Sequence, residues 1–116
     1  MKNYGGEIKY KERTYKLPFN LNVMEEIQEE YGSLDKWSEL TEGGEKGEPN
    51  VKAIIFGLTK MINEGIEIEN EEKGTQEKLL TTRQVGRIVT EVGLAEAMKS
   101  ITGTVTESTK SDEKNA

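Results

Sequence analysis

A chain of 116 residues is long enough for one hydrophobic core and too short for two. Apolar residues make up 33% of it and charged residues another 33%, and its net charge of -6 opposes general binding to nucleic-acid backbones. Because the sequence contains no cysteine and no histidine, it excludes disulfides, thiolate metal sites and most hydrolytic catalytic groups.

The sequence predicts neither a membrane span nor an export signal. No window approaches the roughly 20 apolar residues needed to cross a bilayer. Residues 1–6 lack the apolar stretch of a signal peptide. We therefore expect a cytoplasmic protein that does not bind membranes.

The first predicted element is a β-hairpin over residues 7–19. Apolar and polar residues alternate there on both sides of the short polar segment 11–13, which is the pattern of two strands joined by a turn. Pro18 cannot donate a hydrogen bond to a ladder, so the second strand should end there or lie at an edge. The apolar members of the alternation are Ile8, Tyr10, Tyr15, Leu17 and Phe19.

Two helices are predicted next. Either Asn20 or Asn22 can cap the first helix, and Gly32 suits its left-handed end. Ser33 then opens a shorter helix over residues 34–40, and its stripe of apolar residues includes the single tryptophan, Trp37. Trp37 fits either the core or an interface anchor, and the core is the more common place for a lone tryptophan.

The longest apolar pattern follows a glycine-rich loop at residues 41–49. Asn50 is expected to begin a central helix, and Gly57 inside that helix suggests the close approach of another backbone. Gly65 is expected to end the helix, followed by a poorly ordered, glutamate-rich connector over residues 66–78. The helical stripe consists of Val51, Ile54, Ile55, Leu58, Met61 and Ile62.

The last part of the domain is predicted to be helical as well. Thr81 and Gln84 form a T-x-x-Q capping box, Gly93 breaks or bends the helix, and a final helix ends at Ile101. The predicted fold is therefore α+β and mainly α, with an N-terminal β-hairpin followed by four to five helices in a single domain over residues 1–101. A disordered, flexible polar tail is expected over residues 102–116, since it holds too few apolar residues to offset the entropy of ordering.

The motifs of common enzyme and cofactor sites do not occur. The glycine-rich loop has no preceding strand and no G-K-[ST] ending, so it does not predict a phosphate site. The glutamates of residues 67–72 do not match a calcium loop, because its sixth position would require glycine and holds Glu72. We expect no catalytic residues, no cofactor and no metal, and hence a binding protein rather than an enzyme.

Three segments resemble the tail assembly chaperones of long-tailed bacteriophages (siphophages) and prophages of Gram-positive bacteria. They are RTYKLPFNLNVMEEIQEEYGS at residues 13–33, VKAIIFGLTKMINEG at residues 51–65 and LLTTRQVGRIV at residues 79–89. The resemblance implies a chaperone that binds the long tape measure protein during tail assembly, keeps it soluble, helps to recruit the tail tube protein, and is absent from the mature virion. In many members of the family a ribosomal frameshift appends a second domain.

Two other functions are also compatible with the sequence. One is a structural tail or head-tail connector subunit, and the other is a small acidic phage inhibitor of a host protein. For the chaperone, we expect self-association through the hairpin and first helix and a client surface on the central and last helices. The protein-binding residues of this hypothesis are Tyr10, Tyr15, Phe19, Met24, Trp37, Phe56, Met61, Met98 and Ile101.

Overall fold

The computed structural model describes the backbone of residues 6–43 and 47–115 and the side chains of residues 6–43 and 47–106. Within these ranges the chain forms a two-stranded antiparallel sheet and five helices, which confirms the predicted α+β, mainly α fold. The strands are β1 (Glu7–Tyr10) and β2 (Arg13–Lys16), and the helices are α1 (Leu21–Tyr31), α2 (Leu34–Glu42), α3 (Val51–Lys73), α4 (Thr82–Val92) and α5 (Leu94–Asn115).

The hairpin places one apolar face on the helices. Ile8 lies opposite Tyr15 in the antiparallel register, and both are buried. Lys11 begins the two-residue turn with a φ of 57°, which gives the left-handed backbone that such tight hairpins require. β2 ends at Lys16, two residues before Pro18, as the sequence predicts.

The junction of α1, α2 and α3 is built around Trp37. Its ring stacks on Phe19 with centroids 6.1 Å apart, and its Nε1 donates a hydrogen bond of 2.9 Å to the carbonyl oxygen of Ala53. Trp37 is 1% exposed, so it belongs to the core. The indole lies directly against Gly57. The close approach predicted at this glycine is therefore real, but a side chain makes it rather than a second backbone.

The prediction that the central helix ends at Gly65 is wrong. α3 continues for two more turns to Lys73, and Gly74 provides the left-handed C-cap with a φ of 67°. Gly65 serves instead as a point of contact with β2, where a Cβ atom would lie 2.8 Å from the carbonyl oxygen of Lys16. Ile66 is 1% exposed and anchors the extra turns in the core.

The connector after α3 is held by side chains of α3, which corrects the prediction of low order. The Asn63 side chain forms two hydrogen bonds with the backbone of Leu80, donating to its oxygen at 2.9 Å and accepting from its nitrogen at 2.8 Å. The Asn70 side chain forms the same pair of hydrogen bonds with the backbone of Glu77, donating to its oxygen and accepting from its nitrogen, both at 3.0 Å. Side-chain amides here replace the backbone partners that a loop otherwise lacks.

An ion pair adds a link between this connector and the hairpin. The Arg13 guanidinium donates two hydrogen bonds to the Glu77 carboxylate, at 3.0 and 2.7 Å. The hydrogen bond to Glu77 raises the pKa of Arg13, and Glu69 contributes to the same effect. The pair is partly exposed, so its contribution to stability is modest, and its main effect is to hold the connector beside the hairpin.

The final helix is longer than predicted and packs on the hairpin beyond Ile101. Thr104 is fully buried, and its hydroxyl donates a hydrogen bond of 2.6 Å to the carbonyl oxygen of Leu17. Gly6 lets α5 lie close to the start of the hairpin, because a Cβ atom there would lie 2.8 Å from the Thr104 Cβ and 3.0 Å from the Ser100 carbonyl oxygen. Residues 102–106, where the flexible tail was expected to begin, lie in α5, and a buried threonine with a hydrogen-bond partner stabilises this segment although it is poor in apolar residues. The side chains of residues 107–116 lie outside the described part of the chain.

The hydroxyl of Tyr31 has no hydrogen-bond partner among the described residues, although it is buried. Burial raises the pKa of this hydroxyl, and the charge of Glu30 adds to the effect. A buried donor without a partner costs about 1 to 3 kcal/mol. We expect Tyr31→Phe to retain the edge-to-face contact with Phe56 and to leave the free energy of unfolding unchanged or raise it by about 1 kcal/mol.

Urea unfolding of the wild-type chain and Tyr31→Phe measures this difference. A fall in the unfolding free energy of more than about 1 kcal/mol would mean that the hydroxyl has a stabilising partner in solution.

Candidate partner-binding groove

A groove of about 620 Å³ lies between the first half of α3 and the exposed side of α4. It is open to solvent along its length, and its α4 wall runs from Thr82 to Thr90, which at 1.5 Å per residue is about 12 Å. The lining residues are Val51, Lys52, Ile55, Phe56, Thr82, Arg83, Gly86, Arg87 and Thr90.

The floor of the groove is apolar. Val51 is 49% exposed, and Ile55 and Phe56 are half-buried. Gly86 faces them from α4, where an added Cβ would meet only the Cδ1 atom of Ile55, at 3.6 Å. Gly86 adds no side chain at this point, which leaves apolar surface exposed between the two helices.

The rim of the groove is positively charged. Lys52 on α3 and Arg83 and Arg87 on α4 are exposed and line the same opening. In the part of the chain whose side chains are described, none of the three lies within 4.0 Å of a carboxylate oxygen. Three positive charges around an apolar floor contrast with the net charge of -6 of the whole chain.

The two walls are fixed by local contacts. Thr81 caps α4 through the predicted box, accepting from the Gln84 nitrogen at 3.1 Å while its own nitrogen donates to the Gln84 side chain at 2.9 Å. The two hydrogen bonds between the Asn63 side chain and the Leu80 backbone fix the residue directly before this cap. On the other wall, the Phe56 ring packs edge-to-face against Tyr31, with centroids 5.4 Å apart. The groove therefore exists before any partner binds.

Five of the nine residues predicted to bind proteins lie in the core. Each of these is 9% exposed or less, so it stabilises the fold and offers almost no area to a partner. The five are Tyr15, Phe19, Trp37, Met61 and Ile101.

The other four predicted residues, Tyr10, Met24, Phe56 and Met98, are half-buried at the edge of the core. They lie on different elements and do not form one surface around the groove: of the nine, only Phe56 lines it. Leu21, on the outer side of α1, is the most exposed large apolar residue described, at 78%.

Sequence reasoning missed the basic rim and misassigned part of the floor. It placed Val51 and Ile55 in the same buried stripe as Ile54 and Leu58, whereas the structure turns the first pair toward the groove and the second into the core. A usable signal was present in α4, where two of the three arginines of the chain stand four residues apart with Gly86 between them.

The glutamates considered for metal binding lie along the last turns of α3. Glu67, Glu71 and Glu72 are exposed, and Glu69 lies 3.6 Å from Arg13 and 3.7 Å from Lys73. Among the residues that the structure describes, no three acidic side chains come together as a metal site would require.

None of the described helices has the length and apolar character of a bilayer span. Comparison of the chain with known protein families, with curated proteins and with solved structures found no match.

Proposed function

We propose that this chain is a phage tail assembly chaperone that binds the tape measure protein and keeps it soluble while the tail is built. It acts by binding and not by catalysis, in the cytoplasm of the bacterial host, and it is left out of the mature virion. The tail tube protein is a further partner in this proposal.

The observation that carries the proposal is the preformed apolar groove between α3 and α4. A tape measure protein is long and helical by the family resemblance, and its apolar helix faces would aggregate if left uncovered. A groove lined by Val51, Ile55 and Phe56 fits one apolar face of such a helix, as helix-in-groove recognition requires. Charged residues make up 33% of the chain, and they keep a complex with such a client soluble.

A small binding surface also suits a chaperone's work. A groove that spans about two helical turns gives weak binding at each contact, so that many copies can coat a long client and leave it again. The resemblance of residues 13–33, 51–65 and 79–89 to the chaperone family supports the same conclusion from the sequence.

The test is to co-express the chain with the tape measure protein of the same phage or prophage and to measure the soluble fraction of the tape measure protein. We expect soluble tape measure protein that co-purifies with the chain, and no chain in purified mature particles. The chain at constant copy number in those particles would identify a structural tail subunit instead. Failure to increase the client's solubility, together with stoichiometric capture of a host protein, would identify an inhibitor.

A further inference from the structure

The rim of the groove carries information about the chemistry of its occupant. Lys52, Arg83 and Arg87 surround apolar residues and have no ion-pair partners among the described side chains. Several other described lysines, such as Lys36 and Lys99, also lie beyond 4.0 Å of a described carboxylate, so what distinguishes the three rim residues is that they share one opening with an apolar floor.

We propose that the groove binds an acidic amphipathic helix of a partner protein, with apolar residues at i, i+3, i+4 and i+7 on the floor and glutamates or aspartates beside them. This proposal rests on the proposed function only in taking the groove as the client-binding surface. The acidic flanks would lie next to Arg83 and Arg87, and complementary charge would fix the orientation of the helix in the groove.

The dimensions of the groove agree with one short helical segment. Thr82, Gly86 and Thr90 are spaced by four residues and therefore share one side of α4 over about 12 Å, which is slightly more than two helical turns. Gly86 at the middle of this row lets an incoming helix approach the α4 backbone closely. The Thr90 hydroxyl is engaged with the Gly86 carbonyl oxygen at 2.8 Å, so the row presents no free strong polar group at its centre.

Other occupants fit these observations less well. The last residues of the chain, 107–116, contain no large apolar residue for the floor. The acidic α1 of a second copy exposes a single large apolar residue among those described, Leu21, which is too few for the floor of the groove. Nucleic acid would meet a surface with an apolar floor on a protein of net charge -6.

The probes are three synthetic peptides of about 16 residues, long enough to form a helix on binding. The first has a leucine stripe flanked by glutamates, the second has the same stripe flanked by lysines, and the third keeps the glutamates but replaces the stripe with serine and glutamine. We expect the first peptide to bind the full chain about tenfold or more tightly than either of the others, with an affinity that falls as salt is raised.

The variant that tests the rim is Arg83→Glu/Arg87→Glu. Its matched control is Lys36→Glu/Lys99→Glu, which changes the net charge equally at exposed positions outside the groove. We expect the first double variant to weaken binding of the acidic peptide by about tenfold or more, and the control by less than about twofold. Gly86→Leu, which fills the floor of the groove, should also weaken binding of the acidic peptide. If this variant fails to fold, Gly86→Ala tests the same point with a smaller side chain.

Equal binding of the three peptides, or equal effects of the two double variants, would overturn the proposal. Sedimentation gives a further test of the occupant. A dimer that is dissociated by Arg83→Glu/Arg87→Glu but not by the acidic peptide would also overturn the proposal. The outcome is separable from that of the proposed function. A chain that solubilises the tape measure protein equally well with either double variant leaves the function standing and overturns the acidic-helix proposal. Selective binding of the acidic peptide without any effect on the solubility of the tape measure protein would support the acidic-helix proposal and contradict the proposed function.

Discussion

Gly57→Ala is expected to destabilise the protein by about 3 kcal/mol or more, although alanine is the better helix former by about 1 kcal/mol. The added Cβ would overlap the Cζ2 atom of Trp37 and lie 2.9 Å from its Cε2 atom. The indole cannot retreat without losing its stacking on Phe19 and its hydrogen bond to Ala53, both of which lie in the core. Thermal unfolding should show a melting temperature lower by roughly 10 °C or more.

Gly86→Ala is the matched control for this substitution. Gly86 also lies within a helix, but a Cβ there is 3.6 Å from the nearest side-chain atom, an ordinary contact. We expect this change to raise the free energy of unfolding by up to about 1 kcal/mol. If Gly57→Ala were as stable as Gly86→Ala, the close packing of Trp37 on α3 would be wrong.

Gly65→Ala is expected to lower the free energy of unfolding by about 2 kcal/mol. Its Cβ would lie 2.8 Å from the carbonyl oxygen of Lys16 and 3.3 Å from the Cδ atom of Pro18. Both neighbours belong to the rigid end of the hairpin, so α3 and β2 would have to move apart. Denaturant unfolding measures the loss.

Stabilisation by Gly65→Ala, of the size expected for Gly86→Ala, would contradict the close contact between α3 and the hairpin. Hydrogen exchange of the amides of residues 66–73 gives an independent check. These amides should be protected if α3 continues past Gly65, and they should exchange freely if the helix ends there, as the sequence alone suggested.

Several elements could be predicted because their signals are local. The alternation around Tyr15 specifies the hairpin, the Thr81 and Gln84 pair specifies the start of α4, and Gly32 ends α1 with a φ of 92° as expected. Where the sequence left two caps open for α1, the structure shows that Asn20 accepts from the Val23 nitrogen.

The errors arise where a distant contact outweighs a local signal. Gly65 resembles a helix end, but it lies inside α3, where the Lys16 carbonyl oxygen, far away in sequence, leaves no room for a Cβ atom. Thr104 has a polar side chain that suggests exposure, but it donates to Leu17, 87 residues earlier. Composition and periodicity contain no information about such pairs, so both the length of α3 and the packing of α5 were missed.

The candidate site was harder to predict than the fold, for a related reason. A helical stripe identifies apolar residues but not which of them a neighbouring helix will cover. Ile54 and Leu58 are buried in the core, whereas Val51 and Ile55 line the gap beside α4, where Gly86 presents no side chain to fill it. The groove therefore depends on the relative placement of two helices, to which the hydrogen bonds of Asn63 with Leu80 and of Asn70 with Glu77 contribute.

The central claim is that a client helix binds between α3 and α4. Hydrogen-deuterium exchange of the chain, alone and in complex with the tape measure protein, tests it most directly. We predict that the complex slows exchange in residues 51–56 and 82–90 and that Arg83→Glu/Arg87→Glu removes this protection. Protection confined to the hairpin or to the outer face of α1, with the α3 and α4 segments unchanged, would contradict the account.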